Sequence, residues 1–225
     1  MTDWDREVER LVERGRDREA AAVAVRHLSE PAPQGGCMDA PEQLDQLAPI
    51  LGDIASRLDD SQLDAPTPCT EFAVSGVLHH MISGGAVFAA MFRGETPPPA
   101  DGDGAEVTVE RFGLAMTDLM EAMRAPGALD RTITAPFGEV PGADFARFVV
   151  LDGLVHVWDI SVATGQPYDP PEQLVAEAHA FAEAAITPAM RDGGMFAEPT
   201  QAPADATPIE RLAALTGRQV ERSSQ

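Results

Sequence analysis

The chain has 225 residues, of which 44% are hydrophobic, and a formal net charge of −21 at pH 7. A chain of this length and composition is long enough to bury a sizeable core, so it is expected to fold. The acidic excess argues against nucleic acids and anionic membranes as partners, because both require a cationic protein surface. All of the basic residues are Arg, and no basic cluster offsets the negative charge.

The first 37 residues differ from the rest of the chain. Residues 3–26 form a highly charged helical pattern that ends in the Pro- and Gly-rich residues 31–36. They lack the apolar core of a signal peptide, so we expect a cytoplasmic protein in which Cys37 and Cys69 are free thiols. We interpret residues 1–37 as a charged N-terminal appendage.

Apolar residues recur at helical spacing along the remainder of the chain. The predicted helices are residues 41–58, 72–92, 112–123, 145–163, 172–186 and 208–215. Gly94 follows the second helix in the position typical of a C-terminal cap. Residues 131–142 alternate in polarity and contain turn residues, which predicts a short hairpin-like insertion. The pattern therefore predicts an all-α protein, with a four-helix core in residues 38–166 and a helical C-terminal tail in residues 167–225.

The longest apolar run, residues 145–163, is interrupted by Arg147, Asp152, His156 and Asp159. These polar residues argue against a membrane span, and we expect no membrane partner. On a helix, His156 and Asp159 both lie within roughly 40° of Asp152, on a stripe flanked by apolar residues. The stripe is therefore expected to point inward. A buried carboxylate needs a metal, a cation or a hydrogen-bonded network as its partner.

A metal site would require a third ligand, because an Asp-x-x-x-His pair is often only a side-chain pair across one helical turn. The second predicted helix contains the adjacent residues His79 and His80, whose side chains point about 100° apart. The helical row through His80 is mainly apolar, whereas the row through His79 carries two serines and is typical of a solvated or loosely packed face. We therefore predict that His80 joins Asp152 and His156 in a metal site.

Four segments carry a resemblance to a known family, namely residues 67–72, 77–81, 88–95 and 155–166. They resemble metal-binding proteins of the DinB/YfiT-like four-helix superfamily, whose best-characterised members are the mycothiol-dependent maleylpyruvate isomerases. The similarity extends over about residues 41–218. Each segment alone is a weak signal, but together they are fairly specific.

The resemblance implies an up-down-down-up four-helix bundle that binds one divalent metal ion, usually zinc or nickel. The ligands would be His80 of the second helix and Asp152 and His156 of the fourth. The isomerases are expected to have Glu at the position of Asp152, and Phe72 stands where the family usually has Trp. The resemblance also implies mycothiol, or a similar low-molecular-weight thiol, and a small molecule as substrates.

Three classes of function are compatible with the sequence. Three protein ligands leave a coordination position open, which is typical of a catalytic metal site and suits a thiol-dependent isomerase or S-transferase. The alternatives are a metal-binding protein without thiol chemistry, hydrolase-like or stress-related, and a metal-free helical interaction module in which Asp152 and His156 pair only with each other. Asp159 could orient a ligand histidine, or it could only anchor the end of the helix or pair with an arginine.

Overall fold

The computed structural model describes residues 38–99 and 107–220. Four long helices come first: α1 (Ala40–Ser56), α2 (Val74–Arg93), α3 (Val109–Arg124) and α4 (Gly142–Thr164). Three shorter helices follow: α5 (Glu172–Ala185), α6 (Pro188–Asp192) and α7 (Pro208–Leu215). Strands β1 (Thr132–Ala135) and β2 (Gly138–Pro141) form an antiparallel hairpin between α3 and α4. The predicted appendage and Cys37 lie outside the described residues.

The described residues are mostly helical, as the sequence predicts, with one small two-stranded sheet. Each predicted helix is present, and the predicted hairpin segment forms β1 and β2, with Thr132 opposite Pro141 and Ala135 opposite Gly138. The five-residue helix α6 is not anticipated by the sequence pattern, because it is too short to show an apolar period. The 3-10 turn Asp60–Gln62 escapes prediction for the same reason.

Local sequence signals explain where the long helices begin and end. The side chain of Asp39 accepts a hydrogen bond from the backbone N–H of Glu42, and the Glu42 side chain accepts one from the N–H of Asp39. This capping box satisfies two donors at the start of α1. Gly94 ends α2 with a φ of 72°, in the left-handed region that favours glycine.

Helix α4 is the central element of the described structure. It packs against α1, α2, α5, α7 and the hairpin, and most of its residues are buried. Helices α1 and α2 each pack against α3 as well, so the four long helices enclose a common core. Helices α5 and α7 contact each other and both lie against α4. The inward orientation predicted for the polar stripe of α4 follows from this position, because the helix has little exposed surface.

Helix α2 is long and apolar enough to cross a membrane by length and composition alone, the one such helix among residues 38–99 and 107–220. Residues 72–92 contain no Asp, Glu, Lys or Arg, so the expectation that every apolar stretch of about 20 residues carries charges is wrong for this segment. Core helices of globular proteins have the same length and composition, and α2 buries 44% of that stretch against the rest of the structure. The property therefore does not by itself assign α2 to a membrane.

Gly142 allows α4 to begin directly against the preceding loop. A Cβ atom at this position would lie 2.6 Å from the carbonyl oxygen of Ala128 and 3.0 Å from the Cα of Leu129. The backbone N–H of Gly142 also donates a 2.7 Å hydrogen bond to the carbonyl oxygen of Arg131. The start of α4, and with it the position of the polar stripe, thus depends on a residue without a side chain.

We expect Gly142→Ala to lower the free energy of unfolding by about 1–3 kcal/mol, because the backbone must move to accommodate the methyl group. The matched control is Gly113→Ala on the exposed face of α3, where an added Cβ meets nothing within 4 Å. That substitution should raise stability by about 0.5–1 kcal/mol, since alanine favours a helix interior. Urea denaturation of the two variants measures both effects. Equal stabilities would contradict the prediction.

Candidate metal centre

The structure brings the three predicted ligand residues together. Asp152 and His156 lie one turn apart on α4, and His80 faces them from α2. The Nε2 atoms of His80 and His156 lie 3.6 Å and 3.4 Å from the same carboxylate oxygen, Oδ1 of Asp152. One donor atom from each residue lies within 4.8 Å of the other two. The histidine rings meet edge to face, with their centroids 4.8 Å apart.

These separations can be compared with those of a direct hydrogen-bonded pair and with those of two ligands around a shared ion. An N–H···O hydrogen bond usually spans 2.7–3.2 Å, so both contacts to Asp152 are long for hydrogen bonds. Two ligands of a four-coordinate ion, each about 2.0–2.1 Å from it, are separated by roughly 3.4 Å. The imidazole–carboxylate distances at Asp152 therefore match the spacing of ligands around a shared ion, and they also lie within the range of a direct ion pair. Imidazole and carboxylate are also suitable donors for a divalent transition metal.

The three side chains differ in their access to solvent. His156 is buried, whereas the side chains of His80 and Asp152 are 37% and 38% exposed. Burial raises the pKa of the Asp152 carboxyl, but His156 and His80 outweigh this and hold the pKa well below its usual range. Asp152 is therefore a carboxylate at neutral pH, directed at two imidazole nitrogens. The exposed side of the cluster is the route by which an ion or a small molecule can enter.

His156 is held between two carboxylates. Its Nε2 faces Asp152, and its Nδ1 lies 3.1 Å from Oδ2 of Asp159, a normal hydrogen-bond distance. Burial lowers the pKa of His156, but Asp152 and then Asp159 raise it, to about 9. A proton on Nδ1 that is donated to Asp159 leaves the Nε2 lone pair directed toward the site. An ion that binds Nε2 of His156 must displace the proton on that atom. The affinity for the ion is therefore expected to rise as the pH rises toward 9.

Arg218 completes this network from the C-terminal end of the described structure. Its guanidinium contacts both oxygens of Asp159, at 3.0 Å from Nη2 to Oδ2 and 3.4 Å from Nε to Oδ1. Asp159 is fully buried, and its charge is compensated by this arginine. Asp159 therefore makes two contacts at once: it lies against His156, a predicted ligand, and it pairs with an arginine. Arg218 follows α7 and is 59 positions from Asp159, so no local sequence pattern predicts this contact.

The loop before α2 covers the site from a second direction. Thr67 Oγ1 lies within hydrogen-bonding distance of the carbonyl oxygens of Cys69, at 3.0 Å, and Phe72, at 2.6 Å. These contacts fix the loop, and the ring of Phe72 stacks on His80 with a centroid distance of 5.7 Å. Gly76 leaves room for that ring, because a Cβ there would approach Phe72 to 3.1 Å. Residues 67–72, one of the segments that carry the family resemblance, thus place the ring of Phe72 over His80, a predicted ligand.

A second group, Cys69 with His156 and Asp159, also has donor atoms within 4.8 Å of one another. Asp159 is already bonded to His156 and to Arg218 in this group. Burial raises the pKa of the Cys69 thiol, although Arg218 lowers it, and so opposes the thiolate that a metal requires. Cys69 is therefore better described as a free, half-buried thiol behind the site. This agrees with the free thiol that the sequence predicts at this position.

An apolar cavity of about 30 Å³ adjoins the cluster in the space between the four long helices. His80 and Asp152 form its one polar end. The rest of the wall consists of aliphatic, aromatic, methionine and glycine residues: Leu44, Leu47, Ala48, Leu51, Met81, Gly84, Gly85, Phe88, Met116, Leu119, Met120, Val149 and Gly153. No local sequence pattern predicts this cavity, because its residues come from four separate helices.

Comparison with known proteins gives this geometry a family context. Residues 44–161, just over half of the chain, match the model of the mycothiol maleylpyruvate isomerase N-terminal domain. Two proteins of Mycobacterium tuberculosis, the uncharacterized proteins MT0763 of strain CDC 1551 and Rv0738 of strain H37Rv, are each 33% identical over 177 residues. That alignment spans 78% of this chain and 93% of each relative. No solved structure matches the chain. The chain therefore belongs to the family defined by the mycothiol maleylpyruvate isomerase N-terminal domain.

Proposed function

We propose that His80, Asp152 and His156 bind one divalent metal ion, zinc in the first instance, and that the protein uses it in thiol-dependent isomerase or S-transferase chemistry. The observation that carries this proposal is the pair of 3.4 Å and 3.6 Å contacts to one oxygen of Asp152. They are long for hydrogen bonds and match the spacing of ligands around a shared ion. Membership of a family named for a mycothiol-dependent reaction supports the thiol.

Each residue of the site has a role that follows from its position. His80, Asp152 and His156 supply two neutral donors and one charged donor and leave a coordination position open. Asp159 orients His156 through its Nδ1–H, and Arg218 compensates the buried charge of Asp159. A bound divalent ion would lower the pKa of a thiol that coordinates it, which makes the thiolate available at neutral pH.

The proposed reaction begins when the thiolate sulfur forms a bond to an electron-poor carbon of the second substrate. For an unsaturated carbonyl compound, the electron pair of the C=C bond moves toward the carbonyl group, and a proton returns to the adjacent carbon. A transferase would release this conjugate. An isomerase would instead allow rotation about the new single bond, and elimination would return the thiol and the isomerised double bond.

We also infer that α1 to α4 form the up-down-down-up bundle that the family resemblance implies. Each of the four helices packs against two others, α1 and α2 both contacting α3 and α4. The segment between α2 and α3, residues 94–108, is long enough to return along the bundle, as two parallel neighbouring helices require.

The first test is the metal content of the full chain after dialysis against trace Zn²⁺. We expect about one ion per wild-type chain and its loss in His80→Ala and Asp152→Ala, because each removes one of three ligands. His79→Ala is the matched control, since it removes a histidine adjacent in sequence that is not in the cluster. Cys69→Ser tests the second group, and it should retain the ion. Loss in Cys69→Ser with retention in His80→Ala would overturn the assignment.

The Asp159–Arg218 pair should matter for metal affinity even though neither residue contacts the proposed ion. We expect Asp159→Asn to weaken Zn²⁺ binding by about 10–100-fold, because His156 loses the carboxylate that orients its ring. Asp118→Asn is the matched control, since Asp118 also pairs with an arginine, Arg93, but lies outside the site. Competition with a chromophoric chelator measures both affinities. An unchanged affinity in Asp159→Asn would contradict the role given to this residue.

Thiol binding is tested by loading the full chain with Co²⁺ and titrating it with mycothiol. A thiolate that coordinates Co²⁺ should produce an intense charge-transfer band in the near ultraviolet, which His80→Ala should not show. Saturable appearance of the band would support thiol-dependent chemistry. A metal-loaded protein whose spectrum does not respond to thiol would exclude it and would favour a metalloprotein with another reaction.

A further inference from the structure

The two histidines of the proposed metal centre are held in different ways. The ring of His156 is buried, and its Nδ1 lies 3.1 Å from Oδ2 of Asp159. The side chain of His80 is 37% exposed, and its Nδ1 makes no hydrogen bond to any group within residues 38–99 and 107–220. The torsion that rotates a histidine ring has broad minima, so neighbouring groups set the orientation of the ring. For His80 these neighbours act through ring contacts and not through a hydrogen bond at Nδ1.

Phe72 is the neighbour that restrains the ring of His80. The two rings are stacked, with an interplanar angle of 27° and centroids 5.7 Å apart. His156 meets the ring of His80 edge to face, at a centroid distance of 4.8 Å. Rotation of His80 about its Cβ–Cγ bond would break the stacked contact with Phe72. An aromatic pair of this kind corresponds to about two- to tenfold in an equilibrium constant.

The loop before α2 fixes Phe72 in this position. The backbone N–H of Phe72 donates to the carbonyl oxygen of Cys69 at 2.9 Å, and the carbonyl oxygen of Phe72 accepts from Thr67 Oγ1 at 2.6 Å. The following residues are tied to the same loop, since the N–H of Val74 donates to the carbonyl oxygen of Ala65 at 3.0 Å. Both backbone groups of Phe72 are thus engaged, and a hydrogen-bonded segment presents its ring to the site.

Gly76, one helical turn before His80, leaves the space that the side chain of Phe72 occupies. A Cβ atom at position 76 would lie 3.1 Å from Cδ1 and 3.2 Å from Cβ of Phe72. Both separations are shorter than an ordinary carbon–carbon contact, so an added methyl group would displace Phe72. Substitution of this glycine therefore moves the ring of Phe72 without changing either of the two stacked residues.

We propose that Phe72 is a positioning residue, which holds the ring of His80 by stacking so that its Nε2 faces Asp152. The stacked ring does for His80 what the hydrogen bond to Asp159 does for His156. This inference rests on the proposed metal site. Because an aromatic contact is weaker than a buried hydrogen bond to a carboxylate, His80 is the ligand that leaves the ion most readily. The rate of metal release therefore depends on the contact between Phe72 and His80.

The test measures Zn²⁺ affinity and release in the full chain by competition with a chromophoric chelator. Phe72→Leu keeps an apolar side chain but removes the stacked ring, and we expect about three- to tenfold weaker binding and faster release. Phe72→Trp restores an aromatic ring and should remain within about twofold of the wild type. The matched control is Phe137→Leu, which removes an aromatic contact to Phe148 at 5.0 Å, outside the cluster. This control should leave the affinity unchanged. An equal loss in Phe72→Leu and Phe72→Trp would contradict a role for stacking.

Gly76→Ala tests the same contact without altering an aromatic residue. It should weaken Zn²⁺ binding by displacing Phe72, and its effect should be much smaller in the Phe72→Ala background, where there is no ring to displace. In the Co²⁺-loaded chain, the visible absorption band reports the geometry of the ligands, and it should shift in Phe72→Leu but not in Phe137→Leu. Wild-type affinity and spectrum in Phe72→Leu would overturn the inference. Absence of bound metal in the wild-type chain would instead disprove the proposed function itself.

Discussion

The structure depends on how α4 compensates the polar side chains within its buried surface. Asp159 and His156 would be costly in an apolar core if they stood alone. Arg218 neutralises Asp159, and Asp159 accepts the hydrogen bond of His156. The remaining nitrogen of His156 faces Asp152, which faces His80. A continuous chain of polar contacts therefore runs from the C-terminal segment, through α4, to α2 and the solvent-accessible side of the site.

This arrangement makes the C-terminal segment part of the site, although that segment is far from Asp159 along the sequence. Helices α5 and α7 pack against α4, and the chain after α7 delivers Arg218 to Asp159. The N-terminal domain model covers residues 44–161 and so includes the three proposed ligands but not this arginine. The family motif and the packed tail therefore contribute to one site, in which the tail supplies the arginine that pairs with Asp159 within the core.

The proposed metal centre joins two environments with different roles. On the side of Asp159 and Arg218, the network is buried and its charges are paired, which fixes the orientation of His156. On the side of His80, the cluster is partly exposed and adjoins an apolar cavity. Such a division suits catalysis, because a rigid supporting shell holds the ligands while the open side admits substrates. It also separates this site from a closed structural metal site, which would have no open side.

The sequence by itself determined the helices, the hairpin and the residues Asp152 and His156, because apolar periodicity and residue spacing are local properties of the chain. The choice of His80 over His79 also followed from helical geometry, and the structure places His80 at the cluster. Only the tertiary structure decided that Arg218 meets Asp159, that Phe72 covers His80 and that four helices enclose a cavity. Those contacts join residues far apart in sequence, and the cavity is lined from all four long helices. Packing between helices brings these distant residues together, and no local periodicity of the sequence encodes that packing.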